Sequence, residues 1–194
     1  MAVAAGTPIT HAGFDHWMYV AAKAQASQTP GQPAIVPDPP GFNRCIAQVR
    51  RQLPTLRNRS DKTLGADCAQ LYKSLSSQVM DFLIKSDWIQ ADGARRGVTP
   101  SDSEVERALN SARQKQFPNG AGFQAFLTKS GQTLQDIRFR FRIDVTLSRL
   151  TAREKGSATA RQRAVTAREK HVFLGRTRCA PLVLMADCSN YREG

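Results

Sequence analysis

The sequence predicts an all-α chain built on one long helix, with a short, disulfide-clipped C-terminal tail. Three observations carry this. First, Asp61 to Arg96 contains no proline, and Leu64, Cys68, Leu71, Leu75, Val79, Phe82 and Ile89 recur at helical intervals. Second, Ser101 with Glu104 and Thr133 with Asp136 are both capping boxes, each of which opens a helix. Third, the strand-like alternation Arg138-Phe139-Arg140-Phe141-Arg142 follows one of those caps. The i, i+3/i+4 pattern of Leu134, Ile137, Phe141, Val145 and Leu150 continues after it.

About six helices follow in order. Residues 1–9 read as a short extended lead. Thr10 is a good N-cap for a helix over 11–26, whose apolar face is Phe14, Trp17, Met18, Ala21 and Ala22. Residues 27–41 are rich in proline and glycine and read as an extended, solvated linker. A short helix then carries Phe42, Cys45, Ile46 and Val49 on one side, and residues 54–61 break it. The long helix ends at Gly97, a natural C′ residue. The Ser101 helix presents Val105, Ala108, Leu109 and Ala112, and stops near Phe117-Pro118-Asn119-Gly120. Phe123, Phe126 and Leu127 mark a short helix closed by Ser130-Gly131, and the Thr133 helix follows. Residues 151–170 are polar and read as an exposed helix or a connector. Cys179 to Cys188 reads as a hairpin or loop.

The 194 residues suit one domain, or one domain with a long tail. Hydrophobic residues at 41% supply a core, and 23% charged residues do not suggest wholesale disorder. No window approaches ~18 consecutive apolar residues. The net charge of +12 is uneven: residues 138–194 hold 13 of the 28 Lys/Arg but 5 of the 16 Asp/Glu. Such a basic arm suits an anionic partner: nucleic acid, anionic lipid or wall polymer. Without a helix-turn-helix, zinc-finger or RNP signature, a solvated basic face is the better reading and nucleic acid the lesser one.

The four cysteines fall into two local pairs, Cys45 with Cys68 and Cys179 with Cys188. No CxxC spacing points to a metal or a thioredoxin-type site. The even count suits two disulfides in an oxidising compartment, while four buried thiols in a cytoplasmic protein remain the alternative. His11 and His16 stand five apart and do not share a helical face. No phosphate loop, HExxH or GxSxG motif is present. The sequence therefore nominates no catalytic residue, metal ligand or cofactor. The aromatic stripes on three helices are core by default. Alternatively, Phe14, Trp17, Met18, Phe82, Trp88, Ile137 and Phe141 line a cleft between the first helix, the long helix and the Thr133 helix.

Several segments taken in order resemble SurA/PrsA-type foldases. Gly6-Thr7-Pro8-Ile9-Thr10 with Phe14-Asp15-His16-Trp17 is similar to that family's opening "NG-x-PIT-xxxF" pattern. Val79-Met80-Asp81-Phe82-Leu83-Ile84 with Trp88-Ile89 resembles its long helix. Gly97-Val98-Thr99-Pro100-Ser101-Asp102-Ser103-Glu104-Val105 resembles its "GV-x-(V/P)SDxEV" helix start. Gln116-Phe117-Pro118, Phe123-Gln124-Ala125-Phe126-Leu127 and Ser130-Gly131-Gln132-Thr133 resemble the segment after it. The spacing Cys179-x8-Cys188-x2-Tyr191 resembles the tail of secreted members. The likeness covers residues 3–151. Ala5 stands where the family usually has Asn.

The resemblance implies a SurA N-terminal-like helical chaperone domain over 1–151, followed by a basic connector and Cys-bearing tail over 152–194. It implies an envelope chaperone that binds unfolded or nascent exported polypeptide, with a homodimer among the expected states. It implies the pairs Cys45–Cys68 and Cys179–Cys188. Family membership alone would make the chain a peptidyl-prolyl cis-trans isomerase, but residues 151–178 leave no room for a parvulin module, so no isomerase activity is expected. An export signal or anchor is expected upstream of Val3, which would place the true start before Met1.

Overall fold

A computed structural model describes residues 2–183 and 185–191; Leu184, in the predicted tail loop, lies outside the described residues. The fold is all-α, with seven α-helices and one three-stranded sheet among the described residues. It divides into two units, His11–Met80 and Met1–Thr10 with Asp81–Gly194. Among the described residues no helix is long and apolar enough to cross a membrane.

The first unit holds α1 (His11–Ser27), α2 (Asn43–Gln52), a 3-10 turn (Pro54–Leu56) and the start of α3 (Asp61–Arg95). Ser60 begins α3: its Oγ accepts from the Thr63 N–H, and Asp61 stands in the first turn, where the helix dipole favours a carboxylate. The core of the α2–α3 corner is Cys45, Val49, Leu64 and Cys68, with Ile35, Phe42, Ile46, Leu53 and Leu56 packed around it. Cys45 and Cys68 form a disulfide inside it. The linker opens with an exposed turn over 28–32, solvated as expected, and then runs extended but not solvated: Pro37 is buried and residues 33–36 are half-buried. Asp38 explains why. Its carboxylate accepts from the backbone N–H groups of Arg44 (3.0 Å) and Cys45 (2.8 Å), the orphan donors of α2. The Val36 N–H donates to Gln48. Cap and side-chain amide thus fix the segment against the helix that follows it.

The second unit begins with a hairpin, β1 (Ala2–Ala4) and β2 (Thr7–Ile9), turned by Ala5 and Gly6 at positive φ. The lead therefore pairs with itself. The other edge of β1 takes β3 (Arg178–Cys179), antiparallel, so the order is β2-β1-β3. The tail is thus not a hairpin of its own. It adds one short strand to the N-terminal hairpin and then forms a 3-10 turn (Pro181–Val183). The second disulfide, Cys179–Cys188, closes it.

Both capping boxes are present: at α4 (Asp102–Gln116) between Ser101 and Glu104, and at α6 (Leu134–Ala152) between Thr133 and Asp136. The alternating Arg-Phe run is helical within α6. The long helix ends as the sequence predicts. Gly97 adopts φ 64°, Val98 N–H donates to Gly93 and Gly97 N–H to Ala94, a Schellman closure. α5 (Ala121–Ser130) lies between α4 and α6 in the chain. Ile89, Val98, Ile143, Leu150 and Val165 form one core cluster, and Leu109, Leu127 and Ile137 another.

In the polar stretch 151–170 the helical alternative holds, but the helix is not wholly exposed. This is α7 (Ala158–Phe173), begun by a Ser157 N-cap, and it buries Val165, Glu169 and Phe173. Its buried face has two apolar residues and one carboxyl, too sparse a stripe for periodicity to flag.

Candidate functional site

A helix places residues i, i+3, i+4 and i+7 on one face, so Gln135, Arg138, Phe139 and Arg142 share a face of α6. On α4, Asp102, Val105 and Glu106 do the same. The two faces line a groove of about 470 Å³. Buried Val105 and half-buried Phe139 are its apolar part. Its charges come in two cross-helix pairs: Arg138 Nε donates to Glu106 Oε1, and Arg142 Nη2 donates to Asp102 Oδ1 at 2.7 Å. Phe139 is braced by Phe82, ring edge to face at 6.0 Å, and the Arg140 guanidinium lies 5.0 Å over Phe82.

Two turns beyond Arg142 on α6, the two helices are tied by Arg149, which donates to Glu104 and to the Val98 carbonyl. The Glu104 carboxyl is held down at about 2, first by the Ser101 backbone N–H and then by Arg149 and the Ser101 hydroxyl. The helix cap and the inter-helix tie are therefore one group, which fixes the spacing of the two helices that make the groove. Exposed ion pairs like Arg142–Asp102 contribute about 0–1 kcal/mol each. They exchange readily for a partner's backbone or side chains. The groove thus combines an apolar floor with adaptable polar rims, a chemistry of binding.

Trp88 is a core residue. It is 2% exposed, and its indole N–H donates to Thr177 Oγ1 at 2.8 Å, while that hydroxyl donates to the Phe173 carbonyl. Ile137 is buried against Leu109 and Leu127, and Phe141 packs half-buried on the same cluster. Phe82 is half-buried and meets the groove through Phe139. In the other unit, Phe14, Trp17 and Met18 are all buried on α1. A smaller hollow of about 300 Å³ there lies between α1, the linker and Leu71. Of the groove residues, Val105 was read on the apolar face of α4 but not as a site residue, and Phe139 and Gln135 were on no apolar stripe. The alternating run held the signal: on a helix Arg138, Phe139 and Arg142 share one side, and Phe141 points elsewhere.

Part of the basic arm is ion-paired, mostly with carboxylates outside it. Besides Arg138, Arg142 and Arg149, Arg168 donates twice to Asp92 and once to Glu154, and Lys170 meets Asp187 at 3.2 Å. Arg96 reaches the same Glu154. Arg168 and Lys170 therefore tie α7 down, while Lys155, Arg163, Arg176 and Arg178 are exposed and form no ion pair among the described residues, so part of the arm is the solvated basic face that the sequence suggests.

Compared with family models, with curated proteins and with solved structures, the chain matches none of them.

Proposed function

We propose that this chain is a non-catalytic chaperone of an extracytoplasmic, oxidising compartment, which holds unfolded polypeptide in the α4–α6 groove. The observation that carries the reading is the groove itself: Phe139 and Val105 as an apolar floor between exchangeable Arg–carboxylate pairs. A binder of unfolded chain needs apolar contact that tolerates any sequence, plus polar groups for the client backbone. The two disulfides support the compartment, since such bonds persist where thiols are not kept reduced. The resemblance of residues 3–151 to SurA/PrsA-type foldases supports the same class. Affinity is expected near micromolar, roughly, because ordering a floppy client costs free energy.

Suppression of a denatured client's aggregation, at low and high salt, tests the proposal. Phe139→Ala removes the floor, and Gln135→Trp fills the groove from its exposed rim without touching the core. Both are expected to weaken suppression while the far-UV circular dichroism stays native, and the activity of the unaltered chain is expected to persist at high salt. Full suppression by both variants would discard the groove as the client site.

A further inference from the structure

We infer that the α4–α5 corner is a contact element for an anionic phospholipid surface, on residues distinct from the groove. The corner is the end of α4, the turn Phe117–Gly120 and α5. It gathers three aromatic rings: Phe117 stands 5.7 Å from both Phe123 and Phe126, and Phe123 stacks on Phe126 at 6.4 Å. Phe117 reaches α5 because residue 122 is glycine; a Cβ there would stand 2.9 Å from the Phe117 ring. Phe126 is 38% exposed, so the cluster presents an aromatic ring to solvent. Helical spacing puts Lys129 beside Phe126 on α5.

Charge selects the occupant. From Arg107 to Gln135 the chain has four cations, Arg107, Arg113, Lys115 and Lys129, and no Asp or Glu. None of the four forms an ion pair among the described residues, in contrast to Arg138, Arg142, Arg149 and Arg168. Arg113 lies over the Phe123 ring at 5.4 Å, so cation and aromatic surfaces are presented together. An anionic bilayer interface needs that combination: rings that settle among the headgroups and unpaired cations that meet the negative surface potential. A second copy of a chain with net charge +12 would bring like charge to the patch.

Co-sedimentation of the full chain with vesicles tests this, using phosphatidylglycerol against phosphatidylcholine. Binding to phosphatidylglycerol alone is expected, falling as salt rises. Arg113→Glu with Lys115→Glu is expected to weaken it by at least roughly tenfold, given about fivefold per cation near the surface. Lys155→Glu with Arg163→Glu, at exposed positions outside the corner, is expected to leave it within about twofold. Phe126→Trp gives a direct reporter: its emission, after subtraction of the unaltered chain's, is expected to shift to the blue on phosphatidylglycerol vesicles. The inference is overturned by equal binding to both lipids, or by no binding to either. It is also overturned by loss of binding in the Lys155/Arg163 variant alone, or by an unshifted emission from the Phe126→Trp variant on vesicles that do bind it.

Discussion

Ala5 holds a φ of 50° beside Gly6 at 93°, both on the positive side that a two-residue hairpin turn requires. Glycine accepts that conformation freely, but an alanine Cβ does not, at a cost of roughly 1–2 kcal/mol. Ala5→Asn is therefore expected to stabilise the chain by about 0.5–1 kcal/mol, since asparagine tolerates the left-handed region. An unchanged or lower urea midpoint at constant m-value would contradict this. Gly93 makes the opposite demand: a Cβ there would stand 2.4 Å from Thr146 Cγ2, so α3 and α6 pass at a glycine. Gly93→Ala is expected to cost about 1–3 kcal/mol by overpacking. Adding Thr146→Ser removes the offending methyl and keeps a hydroxyl to donate to the Arg142 carbonyl, as Thr146 does, so the double variant should regain much of the loss. Equal instability of the single and double variants would place the strain elsewhere. Neither residue announces itself in the sequence. Ala5 is legible only as a departure from a resembled pattern, and Gly93 looks like any helical glycine. The environment of Trp88 was equally hidden, because its partner Thr177 is 89 residues away.

Elements with local causes were legible: the capping boxes of α4 and α6, the Gly97 stop and the proline-free run of α3 all act within a few residues. α7 was legible only as an exposed helix or a connector; its buried face was not, because a buried carboxyl takes the place of an apolar residue there. Glu169 is 4% exposed, and its Oε1 has no hydrogen-bond partner. Burial first, and then the Asp92 carboxylate, push its pKa up to about 7, with Arg168 opposing. The unfolded chain releases this proton near 4.5. Between those values the native state holds the extra proton, so stability falls as pH rises. The contribution is whole below about 4.5 and lost as pH passes about 7. Asp87, pushed up to about 7 by burial, adds to the same slope. Glu169→Gln is expected to match the unaltered chain near pH 4.5 and to be the more stable of the two above pH 7. Urea unfolding across that range checks it; parallel curves for the two proteins would show that Glu169 does not titrate with folding.

At the scale of the molecule, the two units share the helix α3 but each has its own disulfide. Cys45–Cys68 joins α2 to α3 across 23 residues inside the core of the first unit. Cys179–Cys188 closes the tail whose strand β3 pairs with β1 in the second. The local cysteine pairs were visible in the sequence, but the pairing of the tail with the first residues was not. A two-residue strand has no pattern of its own, and its register is set by a hairpin at the far end of the chain. A cross-link acts mainly on the unfolded ensemble, so a bridge over 23 residues contributes roughly 3 kcal/mol and the shorter one somewhat less. The units predict where each loss is felt. Cys45→Ala with Cys68→Ala is expected to raise amide hydrogen exchange across α2 and the start of α3, leaving α4, α6 and α7 close to their original protection. Cys179→Ser with Cys188→Ser is expected to raise it in β3 and β1, leaving α2 protected. Peptide-resolved exchange on the two variants distinguishes this from one cooperative fold, in which either change would lower protection everywhere by the same amount. In the second case α3 would carry instability from one unit to the other, and the division at Met80 would have no energetic meaning.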